Sequence, residues 1–164
     1  MALSQAGTIE ADHFRHGMAQ LPGGVTALAV QTEDGGSRGL TVSAFASLSL
    51  EPPLVMAAID NGAKTLSLLT VGTAFSINVL RADAVEEALR FAGRHEDKLA
   101  GLRRHARGGL WLERCVAWID CRVHARYPGG DHTIVVGEVI EIEVAGGPPL
   151  VYHHRNFGTF AAAS

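Results

Sequence analysis

The sequence predicts a mainly β fold: an antiparallel, Greek-key-like barrel with helices set between its strands. Three observations carry this reading. Segments such as VTALAVQTE, LVMAAID and FSINVL are short and either apolar throughout or alternating at period two, as strands are. Turn signals rich in Gly and Pro separate them. Helical patterns fall between about five or six such strands, without the regular strand–helix alternation of a doubly wound sheet.

In chain order, Ala11, Phe14, Met18 and Leu21 recur at helical spacing before LPGG, which predicts a helix over about residues 8–20. VTALAVQTE, the turn DGGSRG and the stretch GLTVSAFASLSL then form a hairpin. Within that stretch Thr41, Ser43, Phe45, Ser47 and Ser49 fall on one face, and Val42, Ala44, Ala46, Leu48 and Leu50 on the other. Pro52 and Pro53 end the ladder, since neither ring nitrogen can donate a hydrogen bond. LVMAAID reads as a buried strand, NGAKTLSLLTVG as a turn and short helix, and FSINVL as a strand again. Asp83 and Glu86 have the spacing of a capping box for a helix running through ALRFAG. The charged RHEDKLAGLRRHARGG is a surface segment. A long hairpin closes the fold, CVAWIDCRVHARYP against HTIVVGEVIEIEVAG, with Ile134, Val136, Ile140, Ile142 and Val144 alternating along the second arm.

A chain of 164 residues, 47% hydrophobic and 19% charged, is expected to form one domain over residues 1–164 and to fold without disulfide or metal staples. Its apolar content also points to surface that a second copy would cover. The net charge of −3 without a basic block excludes the electrostatic footprint of nucleic-acid binding. Its apolar runs are too short for a transmembrane helix, and MALSQAGTIEADHF lacks the pattern of a secretory signal, so a cytoplasmic location is expected. Cys115 and Cys121 share a strand face too far apart for a local bridge and read as reduced core thiols. His13, His16, His153 and His154 lack Cys or carboxylate partners at ligand spacing, so no metal site is expected.

No Gly-rich dinucleotide fingerprint, Walker loop, HExxH, CxxC or GxSxG occurs. The hydroxyl face at residues 41–49 is the main chemical feature. It suits either solvent or a ligand cleft in which small hydroxyls meet carbonyl or phosphate oxygens beside a flat ring.

The run TVSAFASLSLEPPLVMAAID, followed in order by NGAKTLSLL, FSINVL, GGDHTIVVGEV and PLVYHHRNFG, resembles the flavin reductase family from about Leu21 to Phe157. That resemblance implies the FMN-binding split β-barrel, a homodimer, and the small reductase component of a two-component flavin-dependent monooxygenase. It also implies FMN or FAD as the flavin and NADH or NADPH as the hydride donor. Thr41, Val42, Ser43 and Ala44 would lie along the isoalloxazine edge, and Ser47 and Ser49 toward the ribityl and phosphate end. Asp60, Asn61, Lys64 and Thr65 form the turn where a phosphate would find a cation, a hydroxyl and free amides. His132 would lie near the reactive face of the ring, as the candidate catalytic residue, with Asp131 shaping its turn. Phe91, with Arg94, Asp97 and Lys98, would approach the adenine or the second subunit. Tyr152, Arg155 and Phe157 would cover the site. The reaction implied is hydride transfer from the nicotinamide to flavin N5, giving reduced flavin for a separate oxygenase. The alternative is a module of the same fold that stores or senses flavin without turning it over.

Overall fold

The computed structural model describes residues 9–93, 100–106 and 108–163. The helix α1 spans Ala11–Met18, and the strands β1 (Gly23–Gly24), β2 (Thr26–Gln31), β3 (Ser37–Val42), β4 (Phe45–Ser49) and β5 (Leu54–Asp60) follow. A 3-10 turn at Leu66–Leu68 leads to β6 (Ala74–Leu80) and α2 (Val85–Ala92). The short β7 (Arg103–Arg104) and β8 (Leu110–Trp111) precede the long β9 (Cys115–Gly129) and β10 (His132–Val144). The chain closes with β11 (Leu150–His153) and β12 (Asn156–Thr159). Among the described residues no helix is long and apolar enough to cross a membrane.

Seven strands form one antiparallel sheet in the order β3-β2-β6-β9-β10-β5-β4. Its two edge strands are consecutive in the chain, joined only by Ser43 and Ala44. Three Cα–Cα steps reach about 11 Å at most. The edges of a flat sheet of this size would lie roughly 29 Å apart. The sheet must therefore curl until its edges nearly meet, which makes it a barrel split between β3 and β4. The predicted single strand over residues 39–50 is accordingly two strands on opposite lips of the split.

That break changes which side chains face inward. Val42 is buried, but beyond the crossing Phe45 turns toward the core while Leu48 and Leu50 stand 49% and 84% exposed. The hydroxyl face is interrupted in the same way. Thr41 Oγ1 donates to Ala88 O at 2.6 Å, tying β3 to α2, and Ser43 sits exposed at the bend. A shift in the β4–β5 register between Ser47 and Ser49 breaks the alternation again.

The strand β2 is buried almost throughout because it has an apolar layer on each side. Leu28 and Val30 join Ile59, Phe75, Ile77 and Val135 inside the barrel. Val25 and Ala27 face a second layer with Leu80, Ala84, Ala88 and Phe91, where α2 covers the sheet. Ala84, Ala88 and Phe91 form one helical face, and Phe91 is wholly buried. A Cβ at Gly39 would lie 2.6 Å from Phe91 Cε1 and 2.8 Å from Leu28 O, so the ring packs on bare backbone there. Phe91 is thus a packing residue and meets no ligand from this position, because its apolar helix face points into the core. Arg94, Asp97 and Lys98 lie outside the described residues. The capping box does not form either: α2 starts at Val85 after Ala84, and Asp83 is instead held by Arg81 at 2.7 Å.

The segment carrying β7 and β8 docks on the sheet through buried polar groups. Ser76 Oγ donates to Asp120 Oδ1 at 2.7 Å and accepts from Leu110 N at 2.9 Å, while Asn78 Oδ1 accepts from Leu112 N at 2.7 Å. Ser76 and Asn78 thus give these buried backbone amides partners that an apolar residue could not supply. The β9–β10 hairpin is as long as predicted, but its register shifts between Val136 and Gly137 and between Val139 and Glu141. Ile140, Ile142 and Val144 are consequently left 61%, 55% and 71% exposed.

Candidate functional site

The sequence GGDH explains how His132 is placed. Gly129 and His132 pair across a two-residue loop, with Gly130 at φ 73° in its first position. Glycine at that position is what a type II′ hairpin turn requires, and it sets His132 as the first residue of β10. There His132 lies opposite Asp60, the last residue of β5.

Asn61 joins the two ends. Its amide N–H donates to Asp131 O at 3.0 Å, its Nδ2 to Gly130 O at 3.2 Å, and its Oδ1 accepts from Thr133 Oγ1 at 2.8 Å. Asp60 Oδ1 in turn accepts from Gly62 N at 2.6 Å, an Asx turn that directs the chain into the segment carrying Lys64 and Thr65. The structure therefore brings Asp60, Asn61, Lys64, Thr65 and His132 to one rim of the barrel. Lys64 is exposed, whereas Thr65 is only 6% exposed and precedes the 3-10 turn. That turn is three residues long, so the helix start expected here is a single tight turn.

Asp131 does more than shape its turn. Its carboxylate accepts from His132 Nδ1 at 2.7 Å, and that hydrogen bond holds the Asp131 carboxyl below the usual carboxylate range. With Nδ1 donating, Nε2 is the ring nitrogen left to meet a ligand. The half-buried imidazole is oriented in this way without being enclosed. Thr133 and Gly130 are the positioning residues that sequence reasoning passed over, and Asp131 has a larger part than the turn-shaping expected of it. Their signal was the two-residue turn itself, which brings its flanking side chains to the end of a ladder.

The bend at Ser43–Ala44 borders the same rim. Ala44 O accepts from Ala58 N at 2.9 Å, two residues before Asp60. A Cβ on Gly23 would lie 3.7 Å from Ser43 O, and Gly23 pairs with Tyr152, so β1 and β11 approach the bend from the other side. Tyr152 packs on Phe157 with ring centroids 5.2 Å apart. Six of the expected positions are not at this rim. Thr41 is occupied by Ala88 O, and Val42 and Phe91 are core. Ser49 pairs with Leu54, at the far end of β5 from Asp60. At about 3.3 Å per residue these ends lie roughly 20 Å apart, so one phosphate cannot meet both Ser49 and Lys64. Arg155 sits on the β11–β12 turn beside α1. Ser47 pairs with Val55 and is likewise nearer the far end.

Comparison with known proteins joins this geometry to a family. A flavin reductase like domain model matches residues 18–161. The chain is 42% identical over 145 residues to the reductase component of 4-hydroxyphenylacetate 3-monooxygenase from Thermus thermophilus, covering 88% of this chain and 93% of that one. It is 39% identical over 154 residues to a protein of Streptomyces coelicolor named actinorhodin polyketide dimerase, covering 92% and 87%. Among solved structures, the NADH:FAD oxidoreductase of Streptomyces globisporus in complex with NAD and FAD fragments superposes with a TM-score of 0.83 at 29% identity, covering 95% of this chain and 98% of that one. The fold is of the split-barrel type that the topology requires, and the chain belongs to the flavin reductase family.

Proposed function

We propose that this chain is an NADH-dependent flavin reductase that supplies reduced flavin to a separate monooxygenase component. The observation that carries the proposal is the rim itself: the Asn61 clamp joins the hairpin of an oriented imidazole to the turn that carries an exposed ammonium, and the exposed Ser43–Ala44 bend is tied to the same β5 through Ala44 O. These residues fit a flavin. Lys64 offers a cation to a phosphate, Ser43 and the small Ala44 leave the bend open to a flat ring, and His132 presents Nε2 beside it.

The nicotinamide and the flavin supply the hydride chemistry when both are bound. The chain's part is to bind and align. Backbone and hydroxyl groups at Ser43–Ala44 hold the ring edge, Lys64 with Thr65 anchors the phosphate, and Asp131 keeps His132 aimed so that it can contact the nicotinamide or balance developing negative charge. FMN and FAD both fit this account, and NADH is the donor favoured by the relatives' printed activities.

Apolar side chains stand exposed on β4, in the turn that follows it and on β10: Leu48, Leu50, Ile140 and Ile142. A second copy covering such a surface would form a homodimer and restrict water at the site. The placement of the ring is tested with Ser43→Trp. Loss of flavin binding with an unchanged thermal midpoint is expected; full flavin affinity in that variant would move the site elsewhere.

A further inference from the structure

The β11–β12 hairpin turns through His154 and Arg155, between the paired residues His153 and Asn156. Both loop residues have positive φ, 50° and 62°, and they are the only described residues other than glycine that do. Two positive φ values in a two-residue loop mark a type I′ turn, where Asn-Gly would be relaxed. Here a ring and a guanidinium occupy the strained positions, and strain of this kind is kept where the side chains have work to do.

Those side chains face α1. Arg155 and His154 line a groove of about 460 Å³ with Arg15, His16, Asp12 and Ala19. The groove is within the size range of small-molecule sites, roughly 300–1,000 Å³. It carries two guanidinium groups against one carboxylate, in a chain whose net charge is −3. Asp12 is paired with Arg15 at 2.7 Å. The carbonyls closing α1 are committed: Arg15 O and Gly17 O accept from backbone amides, and Ala19 O accepts from His154 N at 3.2 Å. His154 Nε2 donates to Gln20 Oε1 at 2.8 Å, which fixes the turn against the end of α1. What remains to meet a ligand is cationic. The helix α1 precedes almost all of the family-matched region, so the groove combines a family element with one from outside it.

We propose that this groove binds the diphosphate of the nicotinamide dinucleotide, with Arg155 and Arg15 as its cationic partners. The proposal rests on the flavin reductase reading, which assigns the flavin's own ribityl phosphate to Lys64. The dinucleotide is the nicotinamide donor, because the diphosphate of FAD includes the ribityl phosphate already assigned to Lys64, at the rim from which Arg155 stands apart.

The test is equilibrium binding by calorimetry of FMN, FAD, nicotinamide mononucleotide and NAD⁺ to the wild type, Arg155→Gln and Arg15→Gln. A charge-assisted contact of this kind predicts a loss of about five- to tenfold for the dinucleotide, with its mononucleotide counterpart unchanged. The loss should be confined to NAD⁺; a loss confined to FAD would overturn the proposal. Arg155→Lys should recover part of the affinity. The double variant His154→Asn/Arg155→Gly should raise the thermal midpoint, because it relaxes the turn, and yet lose dinucleotide affinity as Arg155→Gln does. Equal losses for mononucleotide and dinucleotide, or a double variant that binds like the wild type, would overturn the proposal alone. A wild type that binds none of the four would overturn it together with the reductase reading.

Discussion

Asn61 Oδ1 accepts a hydrogen bond from Thr133 Oγ1 at 2.8 Å, across 72 positions of sequence. With the Nδ2 bond to Gly130 O, this clamps the end of β5 to the tip of the β9–β10 hairpin. The rim that carries Lys64 and His132 depends on it. Asn61→Ala should cost about 1 kcal/mol in global stability, since both bonds are exposed. Amide exchange at residues 130–133 should quicken and reductase turnover should fall several-fold. Turnover at the wild-type level with faster exchange would show that the clamp has no part in the chemistry.

The Asp131–His132 pair gives a pH dependence with a definite sign. The hydrogen bond from His132 lowers the Asp131 carboxyl from 3.8 in the folded state. A lowered carboxyl stabilises the fold above its unfolded value and loses that contribution as pH falls through the folded one. Asp131→Asn should therefore lower the urea midpoint near neutral pH, and the difference from wild type should shrink below about pH 4. A difference that grew toward acid would contradict the pairing.

Burial pushes the Cys115 and Cys121 thiols up from 9.0 to about 12, with Glu87 and Asp120 adding to the effect at the respective sites. Neither thiol should react with a disulfide reagent in the native protein at about pH 8, and both should react in denaturant. The sign of the shift also predicts that stability falls as pH rises above 9.0, where the unfolded thiols ionise and the folded ones do not. Rapid native labelling would show that the strand β9 opens far more readily than its burial implies.

Gly39→Ala should destabilise by about 1–3 kcal/mol, because the new methyl meets Leu28 O, which is sheet backbone, as well as the Phe91 ring. The folded fraction should keep its turnover, since this contact lies on the α2 side of the sheet. Chemical denaturation and turnover per folded molecule, measured together, check both halves.

The long hairpin was legible because Gly130 marks a two-residue turn and period-two patterning extends from it in both directions. The crossing at Ser43–Ala44 was not legible. It carries neither Gly nor Pro, and the alternation runs through it without a change of phase, so one strand was read where two meet the opposite lips of a barrel. The apparent capping box failed because Arg81 competes for Asp83, an interaction that sequence spacing does not reveal. At the site, the turn at residues 60–65 and the histidine at 132 enter through the family resemblance, each on its own short motif. Their union through Asn61 spans too much sequence for any local signal. The resemblance implies a Phe91 that approaches the adenine or the second subunit, and the close approach of Gly39, which no local pattern reveals, buries its ring in the core instead.

The most direct measurement is NADH oxidation by the purified protein, followed by absorbance, with and without added FMN, FAD or riboflavin, for the wild type and His132→Ala. Saturable oxidation that requires a flavin, and that falls in the variant while its thermal midpoint holds, is the predicted result. Tight flavin binding with no NADH oxidation in the wild type would contradict the account and leave a flavin-holding module in its place.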